Sequence, residues 1–208
     1  PGMAPLLLAE GDTSHEMMEV QLHGDRFRGR VLEEGGGWFS DFFHEECRLV
    51  FIPPEVHRPV DSAYASGHRT SFSDGYPLLV TTEASLQALN HHLPRPSNML
   101  RFRPNLVIRG SRPWEEDRWR VLEMGGARID LVKPCARCSV VTVDQESGEV
   151  GKEPLRTLAR VRRWEGTSFF GQNAVFTRTG SFRVGQSVRI VEKGDARPPL
   201  DEETPSFP

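Results

Sequence analysis

Short apolar runs, separated by glycine and proline, are the feature of this sequence that most limits its fold. The 208 residues include 19 glycines and 16 prolines, which interrupt regular structure often. The runs at 78–81 and 106–108 are short for helices and rich in residues that favour strands. Helical spacing is confined to about three segments, one of which follows the good N-cap Thr82 and ends near His92. This pattern predicts an α+β fold that is mainly β, with a closed or nearly closed β-barrel core and a few short helices.

The first third of the chain allows two more detailed predictions. Residues 20–31 alternate loosely between apolar and polar around Gly24, as in a strand pair. The glycine triplet at 35–37 is expected to break the chain before a short helix. On that helix, aromatic pairs at i, i+4 spacing begin at Trp38 and at Phe39 and would share one side.

Charge, hydropathy and cysteine content exclude several classes of function. The net charge is −3, so no overall basic field favours nucleic acid. No apolar run approaches the ~20 residues that a membrane-spanning helix needs. Three cysteines are few and odd in number for a disulfide framework, which indicates a reducing compartment. We therefore expect a cytoplasmic protein that binds neither nucleic acid nor a membrane.

The strongest candidate site is the segment that holds Cys135 and Cys138. A strand-like run precedes this segment, and the β-branched residues at 140–143 predict a second strand after it. Lys133 and Arg137 place positive charge beside the thiols, and positive charge favours the thiolate, which is the form that binds metals. Our hypothesis from these residues is that Cys138 ligates a metal.

Four chemistries remain open for the cysteine pair on spacing alone. A redox dithiol usually opens a helix, whereas strands are predicted on both sides here. A zinc site needs further ligands, and Cys47 is the one remaining cysteine of the sequence. The other two chemistries are burial of both thiols as small apolar groups and a single thiolate on a metal or cofactor with open coordination positions.

Two other segments offer donors for an anionic ligand. Arg103 and Asn105 precede the run at 106–108, and a guanidinium fork with an amide suits a phosphate. The alternative is a structural arginine that caps a helix or pairs with a carboxylate. Gly171 permits close approach of a ligand to the backbone, and the amide of Gln172 is a candidate cofactor-binding donor. The alternative for these two residues is an ordinary strand start.

Nine short motifs, in order along the chain, carry a resemblance to one family. They are SDGYPLL (73–79), EASLQALN (83–90), FRPNLV (102–107), EDRW (116–119), KPCARC (133–138), TVD (142–144), EPLRTL (153–158), FGQN (170–173) and VGQSV (184–188). Together they resemble the MOSC domain, which is named for the C-terminal part of molybdenum cofactor sulfurase, over about residues 20–191. The branch to which they are most similar is the mitochondrial amidoxime-reducing component with its bacterial relatives.

The resemblance implies a mononuclear molybdenum ion on the dithiolene of a pterin cofactor, molybdopterin. Cys138 corresponds to the family's protein ligand of the metal, and Asp74 to a carboxylate near the metal, so both are assigned catalytic roles. The other residues that the resemblance places at the cofactor are Arg103, Asn105, Gly75, Tyr76, Ala136 and Arg137. The sequence departs from the family's pattern at Gly75 and Tyr76, where animal members have hydroxylated residues, and at Ala136, where some members have serine.

The resemblance also implies an activity and a set of partners. Such a protein is an oxidoreductase that reduces N-hydroxylated compounds (amidoximes, hydroxylamines or N-hydroxylated bases) with electrons from a separate protein, either ferredoxin-like or a flavoprotein reductase. The alternative is a non-enzymatic carrier of sulfur or of the molybdenum cofactor, which would use Cys138 as a persulfide or thiolate. Pyridoxal phosphate is a further alternative cofactor, suggested by the sulfurase relationship, with Lys133 as the lysine nearest to the motif.

The same comparison of motifs predicts the domain organisation. Residues 1–19 resemble the end of an upstream β-rich domain, associated with MOSC domains, and its linker. The MOSC domain itself is predicted at 20–192. The acidic, proline-rich residues at 193–208 are expected to form a disordered tail.

Overall fold

The computed structural model describes residues 3–8, 16–198 and 200, which fall into two units. The first unit holds the residues up to Ser62 together with Gly67–Gly75, and the second holds Ala63–Ser66 and the residues from Tyr76 onward. The domain predicted at 20–192 draws on both units. Parts of the predicted segments 1–19 and 193–208 lie outside the described residues. Within the described ranges, no helix is long and apolar enough to span a membrane.

The first unit is built on a three-stranded antiparallel sheet. Its strands are β1 (Met17–Leu22), β2 (Asp25–Leu32) and β3 (Leu49–Phe51), in that order across the sheet. His23 and Gly24 join β1 to β2 with φ values of 49° and 92°. Positive φ values at both residues of a two-residue turn match the right-handed twist of the strands that the turn connects. The predicted strand pair is therefore confirmed.

Helix α1 (Glu33–Phe43) of the first unit contains the glycine triplet, so the predicted chain break is wrong. A Cβ atom on Gly35 would lie 2.3 Å from Cδ2 of Leu49, and one on Gly36 would lie 2.9 Å from the carbonyl oxygen of Cys47. These glycines therefore allow the helix to pack closely on the start of β3 and on the residues just before it. The predicted aromatic pairs are confirmed, because the rings at i, i+4 spacing stack with centroids 5.7 Å and 6.2 Å apart.

The second unit contains the main sheet. The strands are β4 (Leu78–Thr82), β5 (Leu106–Ile108), β6 (Trp119–Met124), β7 (Ala127–Ala136), β8 (Arg163–Trp164), β9 (Thr167–Arg178) and β10 (Arg189–Lys193). Short helices lie at α2 (Ser62–Ala65, at the boundary between the units), α3 (Glu83–Asn90) and α4 (Leu155–Val161). Single 3₁₀ turns occupy Met99–Phe102, Glu115–Arg118 and Ser139–Thr142.

The strands of the second unit pair in the order β10-β6-β7-β9-β4-β5, with β8 on β9. The β4–β5 pair is parallel and the other pairs are antiparallel. The sheet curls into a nearly closed barrel, which confirms the predicted α+β, mainly β fold. Alternation along β7 turns Ala127, Ile129 and Leu131 into the core, where they are at most 2% exposed.

A second apolar cluster holds the short turns of this unit in place. It consists of Leu89, Phe102, Val141, Leu158 and Phe170, and we call it the Phe102 cluster. The rings of Phe102 and Phe170 stack with centroids 4.0 Å apart. The strand predicted at 140–143 is wrong, because Val141 turns into this cluster from a 3₁₀ turn and the hydroxyl of Thr142 donates to the carbonyl oxygen of Ser139 at 2.7 Å.

Candidate functional site

The two cysteines of the KPCARC motif differ in position and in contacts. Cys135 lies within β7 and is half-buried, and its Sγ accepts a hydrogen bond from Nη1 of Arg137 at 3.0 Å. Cys138 is exposed and lies at the N-terminal cap of the turn Ser139–Thr142. Among the described residues the Cys138 thiol has no hydrogen-bond partner. Cys138 is therefore available to a ligand, whereas Cys135 is engaged within the protein.

Arg137 ties the cysteine segment to the FRPN segment. Its Nη2 donates to the carbonyl oxygen of Phe102 at 2.9 Å, and its guanidinium carbon lies 5.5 Å from the centre of the Phe102 ring. The Nε atom is buried and lacks a hydrogen-bond partner in the described part of the chain. The positive charge that the sequence places beside the thiols thus contacts Cys135 directly.

Arg103 follows the turn Met99–Phe102 in a left-handed backbone conformation. Its φ is 53°, a region that costs a non-glycine residue roughly 1 kcal/mol. The residue is exposed, and its guanidinium has no ion-pair or hydrogen-bond partner within the described ranges. The turn Met99–Phe102 packs on the turn Ser139–Thr142. The structure therefore brings Arg103, Arg137 and Cys138 together at the ends of two packed turns.

Asn105 is fixed against β4 by both its backbone and its side chain. Its N–H donates to the carbonyl oxygen of Leu79 at 3.0 Å, and its Oδ1 accepts from the N–H of Leu79 at 2.8 Å. The residue is exposed, and its Nδ2 makes no hydrogen bond to the part of the chain that is described. Asn105 thus presents an oriented amide donor two residues beyond Arg103.

The remaining predicted site residues are spread over both units. Asp74 and Gly75 belong to the first unit, and Tyr76 and Ala136 belong to the second. The Asp74 carboxylate is 90% exposed and lies 3.1 Å from Nε2 of His23. A Cβ atom on Gly75 would meet nothing within 4 Å, so the local structure does not require glycine there. Ala136 is exposed at the end of β7, and Tyr76 is half-buried just before β4.

Gln172 is part of a buried network. The residue is 1% exposed, and its Nε2 donates to Oδ1 of Asp117 at 2.8 Å and to the carbonyl oxygen of Arg197 at 2.7 Å. The second oxygen of Asp117 accepts from Arg162, and both residues of this ion pair are 4% exposed at their side chains. These contacts give Gln172 a structural role, and its cofactor contact stays a prediction.

Gly171 approaches a neighbouring strand. Its φ is 77°, and a Cβ atom on it would lie 2.7 Å from Cγ2 of Thr81 and 2.8 Å from the carbonyl oxygen of Val80. Glycine is therefore needed where β9 pairs with β4. The close approach that the sequence predicts is made to the protein's own backbone.

Glu116 is the most perturbed acid near these residues. It is fully buried, and its Oε2 accepts from the hydroxyls of Ser85 at 2.8 Å and Thr82 at 3.1 Å. Burial, and next the negative charge of Asp117, raise the pKa of Glu116 to about 7. Burial likewise raises the pKa of Asp117, against the lowering effect of Arg162. This burial was not predicted from the sequence, because the hydroxyls that bind Glu116 lie 31 and 34 positions away.

A separate groove of about 710 Å³ lies among the loops around α4 and the turn at 144–151. Arg101 pairs with Asp144 at its side, with 2.5 Å between nitrogen and oxygen. None of the predicted site residues lines this groove. Within residues 3–8, 16–198 and 200, no group of three or more His, Cys, Asp or Glu side chains is placed to hold a metal ion.

Comparison with known proteins identifies one family and several relatives. Residues 67–189 match the family described as MOSC domain. The chain is 32% identical over 193 residues to mitochondrial amidoxime-reducing component 1 of Mus musculus, with 86% of this chain and 57% of that protein covered. It is 31% identical over 201 residues to the Homo sapiens protein of the same name, with 89% and 60% covered.

A third relative carries a different name. The chain is 34% identical over 175 residues to molybdenum cofactor sulfurase of Oryza sativa subsp. japonica, with 74% of this chain and 21% of that protein covered. The chain spans about three fifths of the length of the two animal relatives.

Proposed function

The chain belongs to the MOSC domain family, and on that premise we propose that it binds a molybdenum–pterin cofactor and reduces N-hydroxylated compounds. Amidoximes, hydroxylamines and N-hydroxylated bases are the proposed substrates. Two relatives are named for amidoxime reduction and a third for the molybdenum cofactor, which supports the proposal. The observation that carries it is the exposed, unpartnered Cys138 thiol on a turn packed against the turn that precedes Arg103.

The donor set fits such a cofactor. A thiolate is a soft ligand and suits a thiophilic metal, so Cys138 would bind molybdenum. Arg103 has an exposed guanidinium without partners in the described chain, so it can meet the anionic phosphate of the pterin. Arg137, whose two terminal nitrogens bind Cys135 and the carbonyl oxygen of Phe102, would add positive charge to the cofactor site. The Nδ2 of Asn105 would donate to the pterin, and it is held in place by the bonds of Asn105 to Leu79.

The cofactor, when bound, would supply the two-electron chemistry that removes an oxygen atom from the substrate. The overall reaction consumes two electrons and two protons and releases water. The two electrons would come from a separate protein, either ferredoxin-like or a flavoprotein reductase. Asp74, an exposed carboxylate beside His23, would position the substrate or relay a proton.

Two of the predictions gain no support. Pyridoxal phosphate would need a lysine, and the ammonium of Lys133 packs 4.2 Å from the centre of the Tyr64 ring. The cytoplasmic location stays a prediction, because the animal relatives carry the word mitochondrial in their names.

Turnover of an aromatic amidoxime with a chemical reductant tests the proposed function. We expect the full chain to form the amidine, Cys138→Ser to lose at least about 99% of the rate, and Cys135→Ser to keep most of it. Cys135→Ser is the matched control because it changes the same atom three residues earlier. A Cys138→Ser protein with undiminished turnover would contradict the proposal.

A carrier of sulfur or of cofactor is the second candidate. It is favoured by the exposure of Cys138, which leaves its sulfur accessible to a donor of persulfide sulfur. Mass spectrometry of the chain after incubation with a cysteine desulfurase and cysteine separates the two functions. A persulfide on Cys138 without amidoxime turnover supports the carrier, and turnover without a persulfide supports the reductase.

A further inference from the structure

Arg58, which was not predicted as a site residue, is almost completely buried in the first unit. Its side chain is 3% exposed and lies over the ring of Phe27, with 5.8 Å from the guanidinium carbon to the ring centre. Burial of a charge is costly unless partners replace the lost water. Nε of Arg58 donates to the carboxylate of Asp25 at 2.8 Å, which supplies the opposite charge.

The other nitrogens of Arg58 bind the backbone of the segment that ends at Asp74. Nη1 donates to the carbonyl oxygens of Ser71 at 2.7 Å and Ser73 at 2.5 Å, and Nη2 donates to that of Asp74 at 2.7 Å. Arginine is suited to this contact because its planar fork offers donors in several fixed directions, whereas lysine presents a single ammonium. Arg58 therefore sets the backbone that carries the Asp74 side chain.

The side chain of Asp74 is held from the hairpin that also supplies Asp25. His23 is the first residue of the β1–β2 turn, and its Nε2 lies 3.1 Å from Oδ1 of Asp74. Both side chains are largely exposed, at 61% and 90%, so the bond orients the carboxylate without removing it from water. One hairpin thus contacts Asp74 twice, through Asp25 with Arg58 and through His23.

We propose that Arg58 and His23 are positioning residues for Asp74, with Arg58 fixing its backbone and His23 fixing its carboxylate. The inference rests on the proposed function, in which Asp74 positions the substrate or relays a proton. It explains why a buried arginine binds three carbonyl groups, those of Ser71, Ser73 and Asp74, in an otherwise exposed loop, since each unpaired carbonyl would favour a mobile loop. A mobile loop would misplace Asp74, which lowers the rate of a positioned reaction steeply.

Amide hydrogen exchange of the full chain tests the role of Arg58 without reference to turnover. Arg58→Lys keeps the charge beside Asp25 and loses the fork, so we expect exchange to rise at least about tenfold at the N–H of Thr70, which begins this loop and donates to the carbonyl oxygen of Arg58 at 2.9 Å. Arg26→Lys is the matched control, because Arg26 is 66% exposed on the same hairpin, and its effect should stay within about twofold. Unchanged exchange in Arg58→Lys would overturn the proposed role of Arg58 in fixing the backbone at Asp74.

Kinetics with an amidoxime test the role of His23. Asparagine tolerates the left-handed φ of position 23 but is too short to reach Asp74, so His23→Asn should fold normally and lower kcat about fivefold. Glutamine places a donor near the position of Nε2, so His23→Gln should restore kcat to within about twofold. In an Asp74→Ala background the His23 substitutions should not change kcat further, because His23 acts on the reaction through Asp74.

The outcomes separate the two claims. Equal kcat values for wild type, His23→Asn and Arg58→Lys would overturn the positioning role while leaving the reductase function intact. Absence of turnover in the wild type, together with faster exchange in Arg58→Lys, would overturn the proposed function. The role of Arg58 in fixing the backbone at Asp74 would still be established. An effect of His23→Asn that persists in Asp74→Ala would also overturn the inference.

Discussion

The second unit contains two polar clusters that draw on the same kinds of side chain and differ in how their hydrogen bonds are satisfied. In the buried cluster, Arg162 and Gln172 both donate to Asp117, and each side chain is at most 4% exposed. In the exposed cluster, Arg103 and Asn105 keep donors without partners in the described chain. Asp117 and Gln172, like Arg103 and Asn105, come from motifs of the family resemblance. The difference indicates that a shared motif can serve structure or function, and that exposed donors without partners distinguish the candidate binding cluster from the structural one.

The largest expected difference concerns the two arginines. Arg162→Met would leave Asp117 as a buried, unpaired charge and should lower the free energy of unfolding by about 3–5 kcal/mol. Arg103→Met removes an exposed guanidinium without partners and should change the free energy of unfolding by less than about 0.5 kcal/mol. Urea denaturation of the wild type and of both variants measures the two changes in the free energy of unfolding. Similar losses for the two would mean that Arg103 has a structural partner and would remove the contrast between the clusters.

The pH dependence of stability should follow Glu116. Its pKa is raised from 4.5 to about 7, so the folded state binds a proton more tightly than the unfolded state between these values. The contribution of Glu116 to stability is therefore fully present below pH 4.5, and it falls by about 3 kcal/mol as the pH rises through 7. Glu116→Gln resembles the protonated acid and should remove most of this decline in denaturation measured from pH 4.5 to 8, and the raised pKa of Asp117 accounts for what remains.

Glu115→Gln is the control for this experiment. A hydrogen bond from Lys193 is the largest of the effects that lower the pKa of Glu115, so its contribution to stability is lost as the pH falls. The decline with rising pH should therefore remain in Glu115→Gln. A wild-type protein whose stability stays flat between pH 5 and 8 would show that Glu116 is ionised in the fold.

The smallest expected difference concerns the two amides. Gln172→Glu removes the donor to Asp117 and to the Arg197 carbonyl and should cost about 2 kcal/mol in the buried cluster. Asn105→Asp keeps the acceptor for Leu79 and should cost less than about 0.5 kcal/mol. Thermal unfolding, monitored by circular dichroism, compares the loss of stability in the two variants. Equal costs would place Asn105 among the structural residues.

Local patterns predicted the elements whose causes are local. His23 and Gly24 fix the first hairpin because a two-residue turn needs positive φ values. Thr82 starts α3 because its hydroxyl accepts from the N–H of Ser85 at 3.1 Å. The exposed, available cysteine of the CxxC pair agrees with the residue that the family resemblance names.

The wrong predictions, and the contacts that the sequence did not indicate, concern residues whose partners are distant in the sequence. Val141 favours a strand by propensity, but the Phe102 cluster draws it into a 3₁₀ turn. Gln172 meets Asp117 across 55 positions, so its local sequence carries no sign of burial. The glycine triplet is helical because Gly35 meets Leu49, which the helix's own sequence cannot indicate.

Molybdenum content tests the central claim, that Cys138 is the protein ligand of molybdenum, beside the exposed cluster of Arg103 and Asn105. The full chain and its Cys138→Ser and Cys135→Ser variants would be produced in cells supplied with molybdate and measured by inductively coupled plasma mass spectrometry. We predict close to one molybdenum per chain in the wild type and in Cys135→Ser, and a loss of at least about tenfold in Cys138→Ser. Full molybdenum content in Cys138→Ser, or its loss in Cys135→Ser alone, would contradict the assignment.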